Sequence, residues 1–387
     1  MPGQIKISAR QIMILTALFT IGSAILIIPS GMALVAKQDA WIAALVGVGA
    51  GLLVLYLYSK IAALYPEMTL IGIMETLLGK WLGKAVGLLF FTTLFINAPA
   101  PVLFYLGNFM TTQMIPETPI LAVNILFALI ILLAVRLGLE VLVRSAELMF
   151  PLFTLLYISF TGLVVSNIKL ENIQPVLEAG LGPIWPAALS FVSTVFIPHI
   201  ILLMIFPASV NRSDQTRKAF FIGSLIGGLM LVVVVALAVF VLGPDLTARN
   251  IYPSYALAKK ISIGNFLQRI EAIMATMWFI SLFFRITLYM HTTVTAIAQI
   301  FRLKNDRQLV LPLGMILVIM SVIVYPNVPY QQIYDTKTWV PYSLSIGLFL
   351  PLLLLSIHAL KRLGTKKNNK PDDKREDRGE DRGEDGA

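Results

Sequence analysis

None of the 387 residues is cysteine and only three are histidine. The first absence excludes disulfide scaffolding and thiolate chemistry, and the second leaves too few imidazoles for a dedicated metal site. There is no Walker loop, His-Glu-x-x-His helix or nucleophile elbow, so neither an enzyme nor a bound cofactor is expected. Charge is scarce as well. Asp, Glu, Lys and Arg make up 13% of the chain, about half the roughly 25% of a soluble domain. A cleavable signal peptide is not expected, because the first apolar run is too long and lacks a small-residue cleavage site.

Long apolar runs are what the chain has instead. Apolar residues make up 57% of it and the mean hydropathy is +0.82. Stretches near 11–36, 41–64, 85–113, 119–136, 142–166, 185–209, 217–243, 266–301, 309–325 and 340–361 predict an all-α polytopic membrane protein with ten transmembrane helices. The eighth stretch is long for one crossing and is expected to tilt or to project beyond the bilayer. In a soluble protein the excess of Lys and Arg over Asp and Glu would suggest nucleic acid. Here the cations sit in short loops beside the spans, so they read as topology signals and no nucleic-acid partner is expected. With the N-terminus inside, the inner loops hold Lys60, Lys80, Lys84, Arg136, Arg212, Arg217, Lys218, Arg302, Lys304 and Arg307. The outer ones hold only Lys37, Lys169, Arg249, Lys259, Lys260 and Lys337. Both termini are therefore expected in the cytoplasm. Residues 363–387 change character: after Leu363, seven cations face eight anions around a repeated Glu-Asp-Arg-Gly, which predicts a disordered tail.

Two of the apolar segments are interrupted near their middles. The first carries Gly22-Ser23 and then Pro29-Ser30-Gly31. The sixth carries Ser193-Thr194, Pro198-His199 and Pro207. Gly and Pro weaken the helical ladder, and a freed backbone group is costly in hydrocarbon unless it lines a cavity. Broken helices in corresponding positions of two halves point to a transporter-type binding site near the midplane. Exposed amides at a half-helix N-terminus suit a carboxylate and freed carbonyls suit an ammonium, so a zwitterion such as an amino acid fits the pair. Small residues also serve simple helix packing, the role expected of Gly47/Gly51 and Gly223/Gly227. The third span carries Asn97-Ala-Pro-Ala-Pro101, which should kink it. The connection 244–265 is either a lid over the site or an ordinary surface loop.

The candidate ligand-binding set is Gly22, Ser23, Ala24, Ile25, Asn97, Ser193, Thr194, Phe196 and Phe279. Arg285, Glu147 and His199 are the candidate coupling residues. Arg285 lies near the centre of a span, too far from either face to snorkel, where a charge is expensive unless paired or hydrated. It either serves the site and helix coupling or forms a structural bridge to a carboxylate, for which Glu147 is the candidate and Glu140 a weaker one. His199 and His291 are ligand or proton groups, or else hydrogen-bonded packing residues; His358 reads as interfacial.

At these residues the chain resembles the spore germination protein family, the B subunits of nutrient germinant receptors, within the amino acid–polyamine–organocation transporter superfamily. The resemblance covers about residues 5–362 and rests on Ile7-Ser-Ala-Arg-Gln11, Gly22-Ser-Ala-Ile-Leu-Ile-Ile-Pro29, Tyr65-Pro66 and Pro207-Ala-Ser-Val-Asn-Arg212. It implies a transmembrane domain over 1–362 made of two inverted five-helix repeats, about 11–166 and 185–361, with the ligand between broken helices 1 and 6. It also implies that Arg285 stands where related transporters hold a sodium ion or a basic side chain. The expected function is binding of a small nutrient germinant and signalling with A and C subunits in the spore inner membrane. The rival is a proton-coupled amino-acid transporter, and a scaffold with a vestigial pocket is a third possibility. Neither the third-helix Asn-Ala-Pro-Ala-Pro nor the charged tail maps onto the family pattern.

Overall fold

A capping box starts the first helix, as Ser8 Oγ accepts from the Gln11 N–H and Gln11 Oε1 accepts from the Ser8 N–H. The computed structural model describes residues 7–205, 213–260 and 271–368. Helix α1 (Ala9–Ile21) stops at Gly22, whose φ of +37° and ψ of −127° exclude most L residues. After Ser23 the chain resumes as α2 (Ala24–Ala36), which a short turn at Lys37–Asp39 joins to α3 (Ala40–Leu64). Thr69 Oγ1 caps α4 (Leu70–Leu78), and α5 (Lys80–Asn97) follows after Gly79. A break at Ala98 separates α5 from α6 (Pro99–Phe109), which widens into a π turn at Met110–Met114. Then come α7 (Ile120–Leu137) and α8 (Leu139–Val165).

The second half opens with α9 (Ile184–Val195), which unwinds at Phe196 and continues as a 3₁₀ helix over Ile197–Met204. Next are α10 (Ser213–Leu242), the short α11 (Pro244–Arg249) and α12 (Pro253–Lys259), and α13 (Glu271–Phe301). Helix α14 (Val310–Ile323) leads to a rod made of α15 (Val328–Ile333), α16 (Trp339–Leu344) and α17 (Leu350–Asn368), interrupted by π turns at Tyr334–Thr338 and Ser345–Phe349.

Among the described residues, nine helical stretches are long and apolar enough to cross a membrane. The count differs from the ten expected because the Gly22 break leaves Ala9–Ile21 as a shorter helix, while the turn at Lys37–Asp39 fuses α2 and α3 into one stretch, Ala24–Leu64. The last stretch starts at Val328 rather than near 340, because Asn327 Oδ1 accepts from the Tyr330 N–H and begins the helix early. Pro207, the Pro207–Arg212 motif, the end of the 244–265 connection and the tail from 369 onward lie outside the described residues.

Association inside a membrane relies on close packing, and glycines allow it. A Cβ at Gly47 would sit 2.8 Å from the Phe191 ring, and one at Gly51 2.2 Å from the Phe196 ring, so α3 lies hard against α9. At Gly223 it would meet Met13 O at 2.2 Å and at Gly227 Thr20 Cβ at 2.6 Å, which seats α10 on α1. The packing role expected of these four residues is observed. The broken helices are thus held side by side with α13 against them.

Candidate functional site

The two breaks leave backbone carbonyls without helical partners, and α13 sends polar groups to them. Ser281 Oγ donates to Gly22 O at 2.8 Å. Arg285 Nη2 donates to Thr194 O at 2.6 Å and its Nη1 to Phe19 O at 3.5 Å. The guanidinium also stands over the Phe19 ring, 5.4 Å from the centroid, and only 2% of Arg285 is exposed. One cation therefore ties the first broken helix to the second, while its Nε has no partner.

This placement answers the pairing expected of Glu147. Among the described residues Arg285 makes no ion pair. The two ion pairs among the described residues are Arg144–Glu140 and Lys169–Glu171, both on the surface. Glu147 instead accepts from Gln11 Nε2 at 2.9 Å, linking α8 to the start of α1. The physical reason is that the freed carbonyls of the breaks already supply the electron density that a mid-membrane guanidinium needs. His199 forms a second tie between the broken helices. In its neutral form its Nδ1–H donates to Phe196 O at 3.0 Å and its Nε2 accepts from the Thr20 hydroxyl at 2.9 Å.

A cavity of about 560 Å³ opens beside these breaks, a size suited to a small organic ligand. Of the expected ligand-binding residues, Ser23, Asn97 and Thr194 line it, with Arg285. Gly22, Ala24, Ile25, Ser193, Phe196 and Phe279 do not. Gly22 has its open side filled by Arg285 Cδ, 2.2 Å from where a Cβ would stand, so the glycine admits the arginine rather than a ligand. Ser193 Oγ turns back to Ser190 O, Phe196 packs onto Gly51 and His199, and Phe279 packs onto Phe109 and Trp278. Glu147 and the three histidines lie off the cavity as well; His358 bonds Tyr65.

The third-helix break belongs to the wall. Ala98 and Pro101 border the cavity; Asn97 Nδ2 donates to Thr93 O, and its Oδ1 accepts from the Tyr334 hydroxyl on the last rod. That rod also brings in Gln331, Asp335 and Trp339, none of which stood out in the sequence. Asp335 and Gln331 are one helical turn apart in what reads as a loop before an apolar run, and this spacing was the available signal. The connection after α10 forms part of the cavity wall: Ala248, Arg249 and Ile251 line it, Ser30 Oγ donates to Ala248 O at 3.0 Å, and Ser254 Oγ to Ile25 O at 2.6 Å. Asn108 Nδ2 donates to the Tyr252 hydroxyl oxygen at 2.7 Å, and burial holds that phenol above its ordinary pKa, so it stays protonated.

Known proteins match this chain along most of its length. Residues 6–328 fit the family described as Spore germination protein. Spore germination protein KB of Bacillus subtilis (strain 168) is 33% identical over 373 residues, 94% of this chain and 97% of that protein. Spore germination protein XB of Bacillus anthracis is 22% identical over 250 residues, 63% of this chain and 67% of that one. Among solved structures, MhsT in complex with L-phenylalanine aligns with a TM-score of 0.66 at 12% identity, covering 92% of this chain and 99% of that one. The nucleobase-cation-symport-1 family transporter MHP1, closed with bromovinylhydantoin bound, aligns with a TM-score of 0.63 at 13% identity, over 91% of this chain and 78% of that one. At such identities the structures establish the fold alone, and that fold is the expected inverted-repeat, transporter-like bundle. By sequence over most of its length, this multi-pass membrane chain belongs to the spore germination protein family.

Proposed function

We propose that the chain is the B subunit of a nutrient germinant receptor. It binds a small amino-acid-like germinant in the cavity between the broken helices and signals with A and C subunits in the spore inner membrane. The observation that carries this reading is Arg285, which borders the cavity while bonding carbonyls of both broken helices. A ligand carboxylate drawn to that guanidinium competes with Phe19 O and Thr194 O, so binding energy is spent on the joint between the halves. A signal needs that difference between two conformations. The L-phenylalanine bound to MhsT, which has the same fold, supports the amino-acid class.

A proton-coupled amino-acid transporter is the second reading, favoured by the fold and by His199 set between the two broken helices. Labelled amino acids offered to proteoliposomes of the purified chain separate the two. The receptor reading expects saturable binding without uptake, abolished by Arg285→Met, and co-purification of A and C subunits. Concentrative uptake sinks it in favour of the transporter, and binding of none of the common amino acids sinks the proposed ligand class.

A further inference from the structure

Among the described residues, Asp335 is the only carboxylate bordering the cavity. Every group found bonding it is a neutral donor. Its Oδ1 accepts from the Tyr105 hydroxyl at 2.6 Å and the Tyr325 hydroxyl at 3.4 Å, and its Oδ2 from Gln331 Nε2 at 3.3 Å. Both ion pairs among the described residues lie elsewhere, so Asp335 forms no ion pair with a described cation. Gln331 is 3% exposed and lines the same cavity. The bond from its Nε2 to Asp335 fixes which end of the amide is oxygen, and that Oε1 has no partner. A buried acceptor left unpaired is costly, and such groups in folded proteins call for an explanation. Here a formal negative charge and an orphaned carbonyl oxygen adjoin one cavity, with the Arg285 guanidinium bordering it too.

We propose that Asp335 and Gln331 form a subsite for a primary ammonium group on the ligand, so that this group is read by side chains of the last rod rather than by the freed carbonyls of the broken helices. This rests on the reading that the cavity takes an amino-acid-like ligand, and it narrows that class to molecules with a free amine. An ammonium has three N–H donors and no acceptor, which matches the two Asp335 oxygens and Gln331 Oε1. A hard metal ion fits poorly. It prefers about six or more oxygens, and no group of three His, Cys, Asp or Glu side chains suited to a metal occurs among the described residues.

The test compares thermal shifts of the purified full-length wild type, Asp335→Asn and Gln331→Met. The probes are the common L-amino acids, the N-acetyl derivative of each amino acid that binds, and n-alkylamines from ethyl to butyl. Asp335→Asn keeps an oxygen for the Tyr105 and Tyr325 hydroxyls and removes the charge. It should weaken binding of any active amino acid by roughly 10- to 100-fold. Acetylation should cost the wild type a similar factor and cost Asp335→Asn little more. Gln331→Met should lose several-fold, and the alkylamines should shift the wild type but not Asp335→Asn. If acetylation costs wild type and Asp335→Asn equally, the ammonium binds elsewhere and the inference fails while the amino-acid reading stands. If no amino acid binds but the amines do so through Asp335, the reading fails and the subsite stands. No amine shift in the wild type, or binding that requires sodium in place of choline, overturns the subsite.

Discussion

Arg285 and Gly22 occupy each other's space, and their energies are therefore coupled. An alanine Cβ at Gly22 would lie 2.2 Å from Arg285 Cδ and 2.8 Å from its Nη1, on a backbone with φ of +37°. Gly22→Ala thus carries an overpacking cost of roughly 1–3 kcal/mol and a backbone cost of roughly 1–3 kcal/mol. Only the first depends on the arginine. In an Arg285→Ala background the same substitution should cost just the backbone share, so thermal unfolding of the four proteins should show an interaction of at least about 1 kcal/mol. Additive effects would mean that the two residues do not touch as described.

Much of the helical framework was legible because each break and each close approach has a residue type behind it. Gly22 marks a backbone angle that side chains avoid, Pro99 starts a helix after the Ala98 break, and the paired glycines mark where α3 meets α9 and α10 meets α1. Arg285 was legible as a buried charge, but its partners were not. Sequence shows carboxylates as candidates and does not show which carbonyls a break sets free, so Glu147 was expected where Phe19 O and Thr194 O stand. Asp335 was missed for the opposite reason, since polar residues ahead of an apolar run read as loop until Asn327 is seen to start the helix early. The face of α3 gives a sharp check on helix packing. Gly51 abuts the Phe196 ring, whereas nothing lies within 4 Å of a Cβ at the exposed Gly49. Gly51→Ala should lower the melting temperature of the purified protein, at a cost of roughly 1–3 kcal/mol. Gly49→Ala should leave it unchanged or raise it, since alanine is favoured over glycine by roughly 0.5–1 kcal/mol inside a helix. Equal effects at the two positions would contradict the α3–α9 contact.

Across the whole molecule, the cavity and the charge bias together make a statement about sides. From the bias of Lys and Arg toward one set of loops we propose that the α13–α14 connection lies inside and the α10–α13 connection outside. The α10–α13 connection contributes Ala248, Arg249 and Ile251 to the cavity lining. A ligand is therefore expected to reach the cavity from the side of that connection, opposite the termini. The natural lack of cysteine makes this measurable, because any thiol introduced is the only one present. Arg249, Thr336 and Lys304 are all exposed, and the first two border the cavity while Lys304 lies between α13 and α14. A membrane-impermeant maleimide added to intact cells should label Arg249→Cys and Thr336→Cys. Lys304→Cys should react only after permeabilisation. A saturating amino acid that binds should slow labelling at Thr336→Cys, which lines the cavity, and leave Lys304→Cys unaffected. Labelling of Lys304→Cys from outside would invert the topology, and equal labelling of Thr336→Cys with and without a bound amino acid would place the ligand outside this cavity.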